Sequence, residues 1–292
     1  MNSSLIRGGI VVDGTGSPGF PADLRVENGV ITEIAPALEP RPGETVQNAA
    51  GCIVAPGFIE THTHFDGTMW WEPELKPLAG FGATTVIMGN CGFSVAPLSD
   101  APEVRDEVVK IFSFFEDIPA APFRTELPWS WKTWSEYKKA LTQQVKVPTN
   151  YGAFVGHIAL RLAVLGMEAW DRAATPEEIE QMVALLRDAL EAGALGMSSN
   201  LMDHDGSDRP VPSLQADDAE WLALAQQYFG EPEPLSETAA SAATVSTATD
   251  GGSDQAAVTE MSLKLIVDDL RADRVVVLGR ELQDVVVTLS LD

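Results

Sequence analysis

Ala55-Pro-Gly-Phe-Ile-Glu-Thr-His62-Thr-His64-Phe-Asp66 is the stretch from which the fold is read. With the Ile53-Val54 that precedes it, this apolar run around Pro-Gly reads as a buried strand carrying two histidines at its carboxyl end. Side chains alternate along a strand, so His62 and His64 face the same way, about 6.6 Å apart and close enough to share one ion. A bare His-X-His serves equally well as a polar strand end. The carboxyl end of a buried parallel strand is where ligands and chemistry collect, and that placement favours the metal.

Working outward, the next strand candidates are ATTVIMG (83–89), TNYGAFVG (149–156) and GALGMSS (193–199). Between the last two runs TPEEIEQMVALLRDALEAG, a helix with Thr175 as N-cap, Pro176 at the first helical position, Glu178 closing a capping box and Gly193 as stop. Strands alternating with helices predict an α/β fold with a parallel sheet, open or closed into a barrel. The Pro- and Trp-rich segment from Pro119 to Trp134 reads as a long loop excursion.

Residues 1–52 predict a small β domain, with Asn28-Gly29 as the tight turn of a hairpin. Residues 53–229 hold the strand-helix alternation. Residues 230–258 are rich in Ala, Ser, Thr and Glu, and no Lys or Arg occurs between Arg209 and Lys264, a composition that predicts a flexible linker. Residues 259–292 offer one amphipathic helix, SLKLIVDDLRA, and two β-rich runs, RVVVLG and DVVVTLSL, suited to a hairpin but too few to fold alone.

Nineteen basic against forty-three acidic residues give a net charge of -24, which repels nucleic acid and anionic bilayers alike. No run approaches the ~18 apolar residues of a membrane helix. The opening MNSSLIRGGIVVDG lacks the apolar core of a signal peptide. Two cysteines make no disulfide framework, and a soluble cytoplasmic protein is expected.

Cys91 ends the second strand candidate in ATTVIMGNCGFS. A free cysteine is most often a small buried hydrophobe, but Gly89, Asn90 and Gly92 surround this one with polar and turn-forming residues. Its sulfur is therefore expected at the same sheet edge as the imidazoles. Thiolate with imidazole suits zinc. Cys52 starts the histidine-bearing strand about 30 Å from its end if extended, which argues against a Cys52–Cys91 disulfide. Asp66 shares the face of the histidines and is read, with Asn90, as outer support for the site; a turn cap is the other role open to Asp66. His157 in VGHIALR and His204 in HDGSDRPVP are either pocket-lining or ordinary strand-end and loop histidines. Arg161 would pair with a substrate carboxylate.

These segments, in this order from about Leu5 to about Gln227, resemble the N-acyl-D-amino-acid deacylases, or D-aminoacylases, of the amidohydrolase superfamily. The resemblance implies a metal-dependent hydrolase on a (β/α) barrel, with a small sandwich-like β domain built from both chain ends. It implies that His62 and His64 bind one metal position, that Cys91 bridges in place of a carbamylated lysine, and that one or two zinc ions activate water against an N-acyl-D-amino acid. It also places His157, Arg161 and His204 toward the substrate. The family's further histidine ligands and its acid-base aspartate have no counterpart here, since no histidine follows His204. The expectation is therefore a barrel truncated to about four strand units, holding at most one zinc, weakly, with little or no activity alone. A cyclic amide substrate, a non-catalytic metal-binding or interaction module and a homo-oligomer stay open.

Overall fold

β1 (Ser3–Val11) pairs antiparallel with β2 (Phe20–Glu27), and β2 with β3 (Val30–Ala35). Between β2 and β3 stand Asn28 and Gly29 with φ of 52° and 83°, the left-handed pair that an Asn-Gly hairpin requires. β4 (Thr45–Asn48) and β5 (Ile53–Val54) both run parallel to β1, completing a five-stranded sheet. Its charged residues are satisfied from within: Arg25, side chain 3% exposed, donates to Glu44 at 2.8 Å and to the Glu39 carbonyl at 2.7 Å. Asp23 accepts from the Gly8 and Leu38 amides. These coordinates are a computed structural model that describes residues 3–230, 274–277 and 280–283.

The chain divides into two units. The first takes the described residues up to Glu60 together with Pro77–Thr85, and the second takes Thr61–Lys76 and the described residues from Val86 onward. In the first unit β6 (Phe58–Glu60) lies beside the start of β7 (Ala83–Met88), with the Phe58 amide on the Gly82 carbonyl at 2.9 Å. The long strand expected over residues 53–62 is thus two short ones. Pro56, which has no N–H to give a ladder, falls in the break, and the second piece stops at Glu60.

In the second unit β7 has β8 (Asn150–Ala153) as its neighbour, and β9 (Val155–Gly156) pairs parallel with β10 (Met197–Ser198). Phe154 joins the two pieces, donating to the Met88 carbonyl at 2.9 Å. Among the described residues these sheets are open. Helices fill the connections: α1 (Phe65–Thr68), α2 (Pro102–Phe115), α3 (Ala120–Glu126), α4 (Trp134–Gln144), α5 (His157–Leu165), α6 (Pro176–Glu191) and α7 (Asp218–Phe229). α2 buries Val104, Val108, Ile111 and Phe112, the spacing of one apolar helical stripe. The loop expected from Pro119 to Trp134 contains α3, and its tryptophans are structural: Trp131 is buried and donates to the Val95 carbonyl at 2.8 Å. α6 carries the capping box read from Thr175 and Glu178.

β11 (Arg274–Val277) and β12 (Arg280–Gln283) form an antiparallel pair. The helix SLKLIVDDLRA, the run DVVVTLSL and the linker 230–258, apart from Gly230, lie outside the described residues. No helix among the described residues is long and apolar enough to cross a membrane.

Candidate metal centre

The site is assembled where two chain segments leave their strands. After β6 the chain bends at His62, and the Thr63 amide and hydroxyl both donate to the Ile87 carbonyl, at 2.9 and 2.8 Å. This anchors the residue between His62 and His64 to β7, so the histidines are positioned beyond the strand rather than on it. The chain then enters α1, with His64 at its N-cap position. Beyond β7 the second segment turns sharply through Gly89-Asn90-Cys91-Gly92, where Cys91 has φ of 54° between Gly89 at 73° and Gly92 at 78°. Left-handed backbone at three of four consecutive residues is what the flanking glycines permit. They also leave no room for a side chain, since a Cβ on Gly89 would meet the Phe154 carbonyl oxygen at 2.2 Å.

Hydrogen bonds hold the two segments in register. Asn90 Nδ2 donates to the Thr63 and Ile87 carbonyls at 3.2 and 3.1 Å, tying the cysteine turn to the histidine segment. Ser198, on β10, accepts from the Gly92 amide at 3.0 Å and donates to the Gly89 carbonyl at 2.5 Å, bracketing Cys91. Sequence reading singled out Asn90 but not Ser198, whose role depends on a contact across 109 residues.

The result is convergence. Ligand atoms of His62, His64 and Cys91 all lie within 4.8 Å of one another, and His62 Nε2 is 3.1 Å from Cys91 Sγ. His64 is buried and stacks on Phe93 with ring centroids 4.4 Å apart, and neither of its ring nitrogens has a hydrogen-bond partner. An imidazole buried with both nitrogens unsatisfied is costly and fits a metal ligand better than a packing residue. Burial and the neighbouring His62 hold His64 down to about 4, so it is neutral with a lone pair to offer at neutral pH. Burial, then the Glu116 and Asp203 carboxylates, push the Cys91 thiol up to about 11. Without a cation the sulfur stays protonated; a dication binding there would displace that proton. Two imidazoles and a thiolate fit a borderline-soft ion such as zinc.

Two carboxylates near this set carried no sequence signal: Glu116, whose Oε1 lies 3.3 Å from His64 Nε2, and Asp203, whose charge acts on Cys91. Each stands in an ordinary acidic context far along the chain.

The other candidates sit elsewhere. Asp66 is buried and accepts from the Val95 amide at 3.2 Å, so its carboxyl braces the chain after the cysteine turn instead of meeting a histidine. Burial lifts it to about 7. His157 and Arg161 are wholly buried: His157 bonds Glu220 at 2.8 Å and Ser213 at 3.0 Å, and Arg161 bonds the same Glu220 and the Arg172 carbonyl at 2.6 Å. In place of the expected approach to substrate, both bond Glu220 in a buried network in which Arg161 Nε has no hydrogen-bond partner. His204 is 56% exposed at its side chain, pairs with Asp208 at 3.3 Å and lies edge-on to Phe114. It is not brought to His62, His64 and Cys91.

The sequence profile of the amidohydrolase family matches residues 45–260. An N-acyl-D-aspartate deacylase of Alcaligenes xylosoxydans xylosoxydans is 36% identical over 72% of this chain and 39% of its own length. An N-acyl-D-glutamate deacylase from Bordetella bronchiseptica, solved with zinc and a phosphonate mimic of the tetrahedral intermediate, superposes with a TM-score of 0.61 at 34% identity, covering 77% of this chain and 42% of that one. A D-aminoacylase described as having a binuclear metal centre, with one-metal activation and second-metal attenuation, superposes with a TM-score of 0.60 at 31% identity over 77% of this chain and 42% of its own. The chain therefore spans about two fifths of the length of the relatives it matches.

Proposed function

The chain belongs to the amidohydrolase family, and from that premise we propose that His62, His64 and Cys91 form one metal position of an N-acyl-D-amino-acid deacylase. The observation that carries the reading is the 3.1 Å approach of His62 Nε2 to Cys91 Sγ beside a buried His64 whose ring nitrogens make no hydrogen bond. A zinc ion at such a site lowers the pKa of water and polarises an amide carbonyl. The protein's part is to fix the donors: Asn90 and Ser198 hold the cysteine turn, Thr63 holds the histidine segment, and Phe93 packs against His64. The reaction is hydrolysis of the C–N bond of an N-acyl-D-amino acid, releasing a carboxylic acid and the amino acid.

The same residues set the rate. The sequence contains four histidines; two are in the site, His157 is closed off with Glu220, and His204 pairs with Asp208. Among the described residues no further imidazole joins these three side chains, and none is assigned as proton donor to the amine leaving group. Absence of a general acid-base group typically costs about 100- to 10,000-fold in rate. Zinc-loaded protein incubated with N-acetyl-D-glutamate, N-acetyl-D-aspartate and their L-enantiomers, with free amino acid assayed, tests the proposal. Slow release from the D-substrates that disappears in His62→Ala is expected. Turnover near about one per second contradicts the missing acid, and release indifferent to His62→Ala contradicts the site.

A further inference from the structure

We propose that Glu116 is a fourth donor to the metal held by His62, His64 and Cys91, an inference that rests on the metal-site reading above. Glu116 is the C-cap of α2, and the buried stripe of that helix, ending in Ile111 and Phe112, fixes where its side chain starts. Its Oε1 lies 3.3 Å from His64 Nε2. Two donors bound to one tetrahedral zinc at about 2.0 to 2.2 Å stand about 3.4 Å apart, so this separation is the length of one edge of such a site.

The pair could instead be an imidazole N–H donating to a carboxylate, but neither His64 nitrogen makes a hydrogen bond. Oxygen and nitrogen are adjacent without pointing at each other, the arrangement of two donors flanking a common space. Glu116 stands outside the group whose ligand atoms all lie within 4.8 Å of one another, and its charge acts on both His62 and Cys91. Asp203, the other carboxylate near Cys91, is already engaged by the Asn200 amide, whereas Glu116 stands beside His64. A thiolate and a carboxylate together neutralise a dication, which the three-donor set does not.

Cobalt(II) titration of the whole chain, with cobalt as a spectroscopic stand-in for zinc, tests the assignment. Wild type should bind one ion and show thiolate-to-cobalt charge-transfer absorption, and Cys91→Ala should lose that band. Glu116→Gln should keep the band, shift the visible d–d bands as an anionic oxygen leaves, and weaken binding roughly 10-fold or more. Glu116→Asp, which retains a carboxylate, should fall between. Unchanged affinity and d–d bands in Glu116→Gln overturn the ligand while leaving the three-donor site intact. Weakened affinity with unchanged d–d bands also overturns it, reducing Glu116 to a positioning residue for His64. Wild type with no charge-transfer band overturns the site itself, and Glu116 with it.

Discussion

At the scale of single residues, the convergence of two imidazoles and a thiol was legible because their chemistry is rare. His62, His64 and Cys91 come in two short motifs, and a glycine on each side of Asn90-Cys91 announces a turn. Glu116 was not legible, being one of many acidic residues, and only folding of α2 brings it within 3.3 Å of His64. His157 and Arg161 were misread for a related reason: a histidine and an arginine four residues apart look alike whether they face substrate or an unseen carboxylate, and their partner Glu220 is 63 and 59 residues away. Both His64 and His157 are buried, and burial is the largest cause lowering each imidazole from its ordinary 6.5. A histidine depressed in the native state binds fewer protons there than in the unfolded chain, so its contribution is present above about pH 6.5 and is lost as pH falls below it. Asp66, lifted by burial to about 7, gains its proton in the native state over the same range and works the other way, so the test uses Asp66→Asn: its urea midpoint, metal-free, should drop between pH 7 and pH 5, and a midpoint that rises would contradict the buried neutral histidines.

Among the elements, those with local grammar were readable and those shaped by tertiary packing were not. The Asn28-Gly29 hairpin and α6 with its capping box are specified by residues within four positions of one another. The break at Ala55-Pro56-Gly57 and the presence of α3 depend on what the chain packs against; Gly57, for instance, has Thr84 where a Cβ would be, at 2.1 Å. In α6 the Thr175 hydroxyl accepts from the Glu178 amide at 3.3 Å while the Glu178 carboxylate accepts from the Thr175 amide at 2.8 Å and pairs with Arg172 at 2.7 Å. Thr175→Ala should therefore cost about 1 kcal/mol in chemical denaturation. Thr175→Ser should cost less, and equal losses in the two variants would show that the hydroxyl is not what caps the helix.

For the whole molecule, family and chemistry rest on different supports. The likeness to deacylases is spread over 72% of the chain, while the proposed activity depends on three side chains that meet beyond the ends of β6 and β7. The strand-helix alternation made the α/β class legible, but a closed barrel is not formed by the described strands, whose sheets are open. Zinc content after exhaustive dialysis, measured by elemental analysis on the whole chain and on Cys91→Ala, is the most direct test of the metal centre. The account predicts roughly one zinc per chain in wild type, held through two imidazoles and the thiolate, and close to none in the variant. Wild type emerging free of zinc, or Cys91→Ala retaining the same amount, would contradict it.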